Sequence, residues 1–312
     1  MDATLQKYID KLNALNFKEM YEGDFFLTWD KSDDELEAVF TVADALRYMR
    51  EELFPPMVEA LHKLGGIPIK PILAESMQMG DENHTRQTAC DYIYDRLMLP
   101  ALFELDRPKK EIMKTVRYIV DTPRFFHCYG QAAARAALVA ADGTEYSTMV
   151  TAVCGNGVEF GIKIASLPGQ WFTAPAPMMK GRYTSSEFTE KDQLPWMGDS
   201  CVVECYGMGG FAAAASPIVC NLRGMTLKES IGQTKEMYRI TMEKNYNFPI
   251  PNLDFDFLPV GIDIRKVLKE GVCPAIHGGM FNRVGGLIGA GMARVPMQCF
   301  EKALVAFGEK YL

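Results

Sequence analysis

The sequence predicts an α+β fold: a mixed sheet core carrying a small helical insert over about residues 84–141. Three observations lead there. Helix-period segments dominate as far as residue 141, and strand-like segments bounded by turn residues follow. No βαβ rhythm repeats, which argues against a doubly wound sheet. The 312 residues, 48% hydrophobic and 23% charged, are also enough for one large domain or two that share a core.

Taken in order, Leu5, Tyr8, Ile9, Leu12 and Leu15 recur at helical spacing and predict an opening amphipathic helix. Ser32-Asp33-Asp34-Glu35 reads as a capping box for a second helix carrying Leu36, Val39, Phe40, Ala43 and Leu46. Pro55-Pro56 should break or restart that helix, and Gly65-Gly66 should end it. Ile67–Leu73, with two prolines, reads as a short edge strand. Residues 84–141 read as three helices, the second opened by Pro108.

After the Asp142-Gly143 turn, Thr148–Val153 and Val158–Ile164 flank Asn156-Gly157, a strong hairpin cue. Cys201–Tyr206 is expected as a strand, Phe211–Leu222 as a small-residue helix, and Thr226–Asn245 as a long helix. Asp263–Glu270 is a short helix, Cys273–His277 a strand, and Pro296–Tyr311 a helix opened by proline. Residues 1–66 are thus expected as an N-terminal helical segment, and 67–312 as the catalytic α+β domain with its insert at 84–141.

Net charge is −7, with no block of five or more Lys/Arg, which argues against a nucleic-acid partner. No run of about 18 apolar residues predicts a membrane span. No basic-then-apolar leader is visible at Met1, so a cytoplasmic enzyme acting on a small molecule is expected. Cysteines stand at 90, 128, 154, 201, 205, 220, 273 and 299 with no C-x-x-C pair. Free thiols in a reducing compartment account for them better than disulfides or zinc. No nucleotide cofactor is expected, because neither Gly207–Gly210 nor Gly285–Gly291 fits a Walker or dinucleotide fingerprint.

Four segments can carry chemistry. In Gly80–Arg86, Glu82 and His84 can point the same way from an extended segment, suiting a divalent metal or an acid/base pair, and Arg86 can clamp an oxygen. A solvated helix N-terminus explains the same residues. His127 lies in an aromatic helix, where a satisfied core histidine is the commoner case. Asp199 and Glu204 fall in a turn and the predicted strand after it. His277 ends an apolar strand before two glycines, which permit close approach of a ligand. Gly207–Gly210 can cradle an anion or serve tight packing. Ser200 lacks a G-x-S-x-G setting, so a serine-hydrolase reading is weak.

Several of these segments recur in order from about residue 70 to the C-terminus. They are Gly80-Asp81-Glu82-x-His84-x-Arg86, Asn156-Gly157-x-Glu159-Phe160-Gly161-Ile162, and Trp171–Ala176. Gly198-Asp199-Ser200-x-x-x-Glu204-x-x-Gly207-x-Gly209-Gly210-Phe211, Gly261-Ile262-Asp263-x-Arg265-Lys266-Val267, Gly289-Ala290-Gly291 and Pro296-Met297-x-Cys299-Phe300 follow. The ordered set resembles a bacterial domain-of-unknown-function family that includes the large subunit of oxamate carbamoyltransferase. The resemblance implies an α+β fold with a small helical insert and chemistry on a small carbonyl-rich metabolite. Typical members are longer. This chain also has Phe125-Phe126-His127-Cys128 where members read Phe-Phe-Leu-Asn, His277-Gly278-Gly279 where they read Asn-Thr-Gly, and Asn282 where they carry a histidine.

Those two added histidines favour a metal-dependent hydrolase. His84, His127 and His277 with Glu82 and Asp199 would hold manganese, zinc or iron, and Glu204 or Glu159 would move the proton. Arg86 and Arg265 would hold the enolate of a cyclic 1,3-diketone such as dihydrophloroglucinol, or the oxygen of a cyclic amide. Trp171, Phe172 and Phe211 would supply apolar walls, with Gly209 and Gly210 against the substrate. The alternatives are a carbamoyltransferase component like the family's, using anion sites at Gly207–Gly210 and Arg265 and needing partner subunits, and a non-catalytic subunit. A homo-oligomer is expected.

Overall fold

The computed structural model describes residues 47–312, so the two predicted N-terminal helices, over Leu5–Leu15 and from the Ser32 capping box to Leu46, lie outside the described residues. The described residues divide into two compact units: 47–65 with 100–118, and 66–99 with 119–312.

In the first unit, a π-helical turn (Met49–Leu53) runs into helix α1 (Phe54–Lys63). Pro55 and Pro56 occupy its first turn, where the missing N–H groups cost nothing, so they restart the helix. Gly65 and Gly66, both at positive φ, end it. Thr115 Oγ1 donates to the Leu53 carbonyl at 2.9 Å, and Lys114 pairs with Glu52 at 2.8 Å.

The second unit begins with helix α2 (Ile69–Gln78), where a strand is expected. Pro68 is extended at its N-cap and Pro71 falls in its first turn, so the prolines that mark an edge strand serve a helix start instead. Along the chain, helices α3 (Thr88–Phe103), α4 (Lys109–Asp121) and α5 (His127–Val139) follow as predicted; residues 100–118, the end of α3 and most of α4, belong to the first unit. The predicted hairpin is present: β1 (Val150–Asn156) pairs antiparallel with β2 (Glu159–Ile164) in the register Val153↔Ile162 and Gly155↔Phe160. Asn156 Oδ1 accepts the N–H groups of Val158 and Glu159 at 2.9 and 2.7 Å, and Gly157 takes φ +85°.

Strands β3 (Phe172–Pro175), β4 (Lys180–Tyr183) and β5 (Met197–Gly198) precede helix α6 (Val202–Cys205). Cys201–Tyr206 is therefore helical rather than extended. Gly198 turns the chain at φ +124°, and Val202 and Val203 donate to the Asp199 and Ser200 carbonyls. The predicted 211–222 helix is two pieces, a 3-10 segment (Gly209–Ala215) and α7 (Pro217–Leu222), because Pro217 can start a helix but not continue one.

The long helix expected over 226–245 stops early. Helix α8 (Leu227–Met237) opens on a reciprocal Thr226–Glu229 capping box, and β6 (Thr241–Ile250) replaces the remainder. Pro249 and the pairing of β6 with β7 (Asp256–Ile262) outweigh a local helical period. Helix α9 (Ile264–Glu270), capped by Asp263, β8 (Ala275–Phe281) and helix α10 (Met297–Tyr311) follow as predicted, and β9 (Leu287–Arg294), for which the sequence gives no strand cue, pairs with β8.

The strands form sheets β3-β2-β1-β5, β4-β9-β8 and β6-β7. Their pairings are antiparallel, so the α+β class holds while the sheets are antiparallel rather than mixed as expected. Tyr94, Phe126, Phe160, Phe211, Phe248 and Phe300 are fully buried in this unit. All eight cysteines are free, and five are buried. Among the described residues, no helix is long and apolar enough to cross a membrane.

A candidate active site built on two buried histidine–glutamate pairs

The loop between α2 and α3 carries the first half of the site. Its shape is fixed from inside: Asn83 sits at φ +61°, accepts from Ser76 Oγ at 3.1 Å and donates to the Leu73 carbonyl at 3.2 Å. Asp81 Oδ2 takes the N–H groups of Ala89 and Cys90 at 2.8 and 3.0 Å, capping α3. Glu82 Oε1 accepts the backbone N–H groups of His84, Thr85 and Arg86. Because Asn83 is left-handed, the segment is not extended, and Glu82 and His84 reach different partners.

Those partners come from α6, α8 and β8. His84 Nδ1 lies 2.8 Å from Glu204 Oε1, and His84 Nε2 lies 2.9 Å from Ser200 Oγ. His277 Nδ1 lies 3.0 Å from Glu82 Oε2, and His277 Nε2 lies 2.9 Å from Gln233 Nε2. The two pairs are tied together, since Glu204 Oε1 also accepts the backbone N–H groups of His277 and Gly210 at 2.9 and 3.0 Å. Glu82, Glu204 and His277 are completely buried, and His84 nearly so.

Electrostatics distinguish Glu82, His277 and Glu204. Burial pushes the Glu82 carboxyl up, but the His277 hydrogen bond and the nearby Arg223 charge outweigh it and hold it well below the ordinary carboxylate range. Burial and the Arg223 charge bring the His277 imidazole down to about 4, against the pull of Glu82. That pair is therefore carboxylate and neutral imidazole, with the proton on His277 Nδ1 and Gln233 donating to Nε2. Burial raises the Glu204 carboxyl, opposed by His84 and by the N–H donors of His277 and Gly210.

Two features shape the space around His84. Trp196, buried, meets it edge-on at 6.3 Å between centroids, and Gly155 and Gly278 make room for the indole. A Cβ at either glycine would fall 2.8 Å from a Trp196 ring carbon. On the other side His127 stacks on His84 at 5.8 Å and 17°. Gly209 at φ +57° and Gly210 bring the chain so close that an added Cβ would stand 2.2 Å from Glu204 Oε1 and 2.1 Å from the Ala275 carbonyl, respectively. Arg223 is buried, bonds Thr85 Oγ1 and the Gly291 carbonyl, and keeps Nη1 without a hydrogen-bond partner.

Of the expected residues, His84, His277, Glu82, Glu204, Gly209 and Gly210 converge, and His127 lies alongside. The others do not join them. Glu159 is exposed on β2, where it takes a hydrogen bond from Thr173. Arg265 is exposed and pairs with Asp263 at 2.8 Å. Arg86 turns to Asp81 at 3.2 Å. Asp199 is exposed. Trp171 is 45% exposed beneath the Lys163 ammonium, while Phe172 and Phe211 are core residues. The sequence reading misses Ser200 as a participant, together with Trp196, Arg223 and Gln233.

The expected metal ligands do not make a metal-ligand set. Among the described residues, no three His, Cys, Asp or Glu side chains are placed to hold one ion. The ring nitrogens of His84 and His277 face the glutamates, Ser200 and Gln233, and those of His127 face Gln87 and Gln131 at 2.9 and 2.7 Å.

Over residues 38–200, more than half of its length, the chain matches the family described as oxamate carbamoyltransferase subunit AllG. It is 36% identical over 273 residues to the uncharacterized protein YahG of Escherichia coli (strain K12), a match covering 87% of this chain and 58% of that protein. It is 35% identical over 267 residues to the oxamate carbamoyltransferase subunit AllG of the same organism, covering 84% of this chain and 64% of that protein. The crystal structure of a conserved protein of unknown function from Enterococcus faecalis V583 superposes with a TM-score of 0.83 at 36% identity, over 86% of this chain and 65% of that one. The chain thus spans less than two thirds of the length of each of these relatives. With the resemblance carried by the ordered motifs and the family match in agreement, the chain belongs to the oxamate carbamoyltransferase subunit AllG family.

Proposed function

We propose that this chain takes part in carbamoyl transfer between phosphate and a small, planar amide anion of the oxamate type, working with partner subunits. Family membership supports this reading ahead of the metal-dependent opening of a cyclic ketone or amide. The observation in the site that carries it is Arg223: a buried guanidinium beside two histidine–glutamate pairs, with Nη1 lacking a partner. A buried unsatisfied cationic donor is costly unless a ligand completes it, and a carboxylate or phosphate oxygen does so best.

The division of labour follows from the geometry. Arg223 binds the anionic end of the substrate, Trp196 walls the side of His84, and the His84–Glu204 pair moves a proton at His84 Nε2. The test is to purify the chain from its own cells with any subunits that accompany it and to measure carbamoyl phosphate formed from N-carbamoyl-oxamate and inorganic phosphate. Turnover is expected, and Arg223→Lys, which keeps the charge but loses the planar fork, should raise KM about tenfold or more. Absence of turnover in the intact assembly overturns the reading.

A further inference from the structure

The two histidine–glutamate pairs differ at the outer imidazole nitrogen. His277 Nε2 faces an amide that can only donate to it, whereas His84 Nε2 faces a hydroxyl, Ser200 Oγ, at 2.9 Å. Ser200 is half-buried in the turn between β5 and α6, entered through Gly198 at φ +124°. We infer that Ser200 is the nucleophile of this site, activated by His84 and Glu204, and that it carries the carbamoyl group as a transient ester; the cargo, though not the nucleophile, rests on the carbamoyl-transfer reading.

The hydrogen bonds assign the proton positions. Glu204 Oε1 already accepts the backbone N–H groups of His277 and Gly210. With its oxygens also facing His84 Nδ1 at 2.8 and 3.0 Å, the carboxylate accepts a hydrogen bond from Nδ1–H and keeps the proton on that nitrogen. His84 Nε2 is then an acceptor, and the Ser200 hydroxyl donates to it. Nucleophile, base and orienting carboxylate stand within hydrogen-bond reach in sequence, the arrangement that activates a serine. Trp196, edge-on, and His127, stacked, both pack against that imidazole. A hydroxyl that merely satisfied a core imidazole would have no reason to keep access to solvent, as Ser200 does in its turn.

The chemistry balances with the two substrates of the proposed transfer. Ser200 Oγ bonds to the carbamoyl carbon of N-carbamoyl-oxamate while its proton passes to His84 Nε2. The bond from that carbon to the oxamate nitrogen breaks, and the nitrogen leaves with the proton. Hydrogen phosphate then gives its proton to His84 as its oxygen attacks the carbamoyl carbon. The bond to Ser200 Oγ breaks, and the serine recovers the proton. Oxamate and carbamoyl phosphate are the products, and no electrons are exchanged.

The test uses two probes on the wild-type assembly, Ser200→Ala and His84→Gln, with Tm measured for each. A fluorophosphonate ester reports the nucleophile alone; acid-quenched turnover of N-carbamoyl-oxamate with phosphate, read by peptide mass, reports the cargo. Expected are a fluorophosphonate adduct on Ser200, formed at least about 100-fold more slowly in His84→Gln, and a carbamoyl group trapped on the same serine. Ser200→Ala should lose both, with a Tm near that of the wild type. Fluorophosphonate labelling of Ser200 without carbamoyl turnover leaves the nucleophile standing and removes the carbamoyl reading. Turnover by Ser200→Ala close to the wild-type rate overturns the inference and leaves carbamoyl transfer in place. A folded wild type that neither labels at Ser200 nor traps a carbamoyl group there overturns the inference outright.

Discussion

One buried polar region uses the same pairing twice, to different ends. His84–Glu204 and His277–Glu82 each join an imidazole Nδ1 to a carboxylate at 2.8–3.0 Å. The His277 pair is closed on every side: Glu82 is saturated by three backbone N–H groups, and Gln233 holds His277 Nε2 while donating to the Gly210 carbonyl at 2.7 Å. The His84 pair is open at one nitrogen, to a half-buried hydroxyl. The difference teaches that a carboxylate–imidazole pair is not in itself a functional signature. What the outer nitrogen faces decides whether the pair builds structure or moves protons.

The sharpest way to break this comparison is to neutralise each carboxylate in turn. Glu204→Gln keeps the shape but no longer holds the proton on His84 Nδ1, so transfer should fall by about 10³-fold or more with KM little changed. Glu82→Gln should instead act on stability, because it leaves backbone N–H groups of the loop and His277 poorly satisfied, costing about 3 kcal/mol. Thermal melts and steady-state kinetics on both variants check this. If Glu82→Gln loses turnover as steeply as Glu204→Gln at unchanged Tm, the two pairs are not distinct in role.

How much of this was legible beforehand depends on what each residue's neighbours are. Glu82 and His84 stand out because acid and imidazole crowd into a turn, and His277 because an apolar strand ends there on two glycines. The Asn156-Gly157 hairpin is read correctly because its signal is local. Ser200 reads weakly as a nucleophile because Val202 stands where an elbow has its second glycine, although Gly198, in the place of the first, makes the turn at φ +124°. Trp196 gave no local sign, since its place beside His84 depends on Gly155 and Gly278 from two different sheets. Arg223 and Gln233 reach the site from α7's end and α8, and helical spacing alone marks neither. The misread strands share one cause: proline at Pro68 and Pro71 and the Cys201-Val202-Val203 run have local preferences that the surrounding chain overrides.

The closed pair also has a pH signature. His277 is neutral in the folded protein, its imidazole brought down to about 4 by burial and the Arg223 charge, from an ordinary value near 6.5. Between those limits the unfolded chain binds a proton that the folded chain does not, so stability should fall as pH drops from 6.5 towards 4. Glu82, held below its usual range, adds a loss of the same sign further into acid. His277→Gln cannot take up that proton. Denaturant melts should show it less stable than wild type at pH 7.5, with the gap narrowing by pH 4.5. A gap that stays constant or widens would place the acid sensitivity elsewhere.

The smallest effects are expected outside the polar core, and they sharpen the comparison by bounding it. Glu159 and Arg265 carry the right chemistry for a proton carrier and an anion clamp, yet both are exposed. Their partners are Thr173 at 3.1 Å and Asp263 at 2.8 Å. A side chain in high dielectric gains little from one such contact. Glu159→Gln and Arg265→Ala should therefore leave turnover within about twofold of wild type, because neither removes a group that meets His84 or Arg223. Asp263 retains its other partners, Thr148 Oγ1 at 2.8 Å and the Arg265 N–H at 2.9 Å, so its cap on α9 survives the loss of the guanidinium. A tenfold loss in either variant at unchanged Tm would mean that the site extends to the β2 or α9 surface, and the contrast between closed and open pairs would no longer describe where the chemistry occurs.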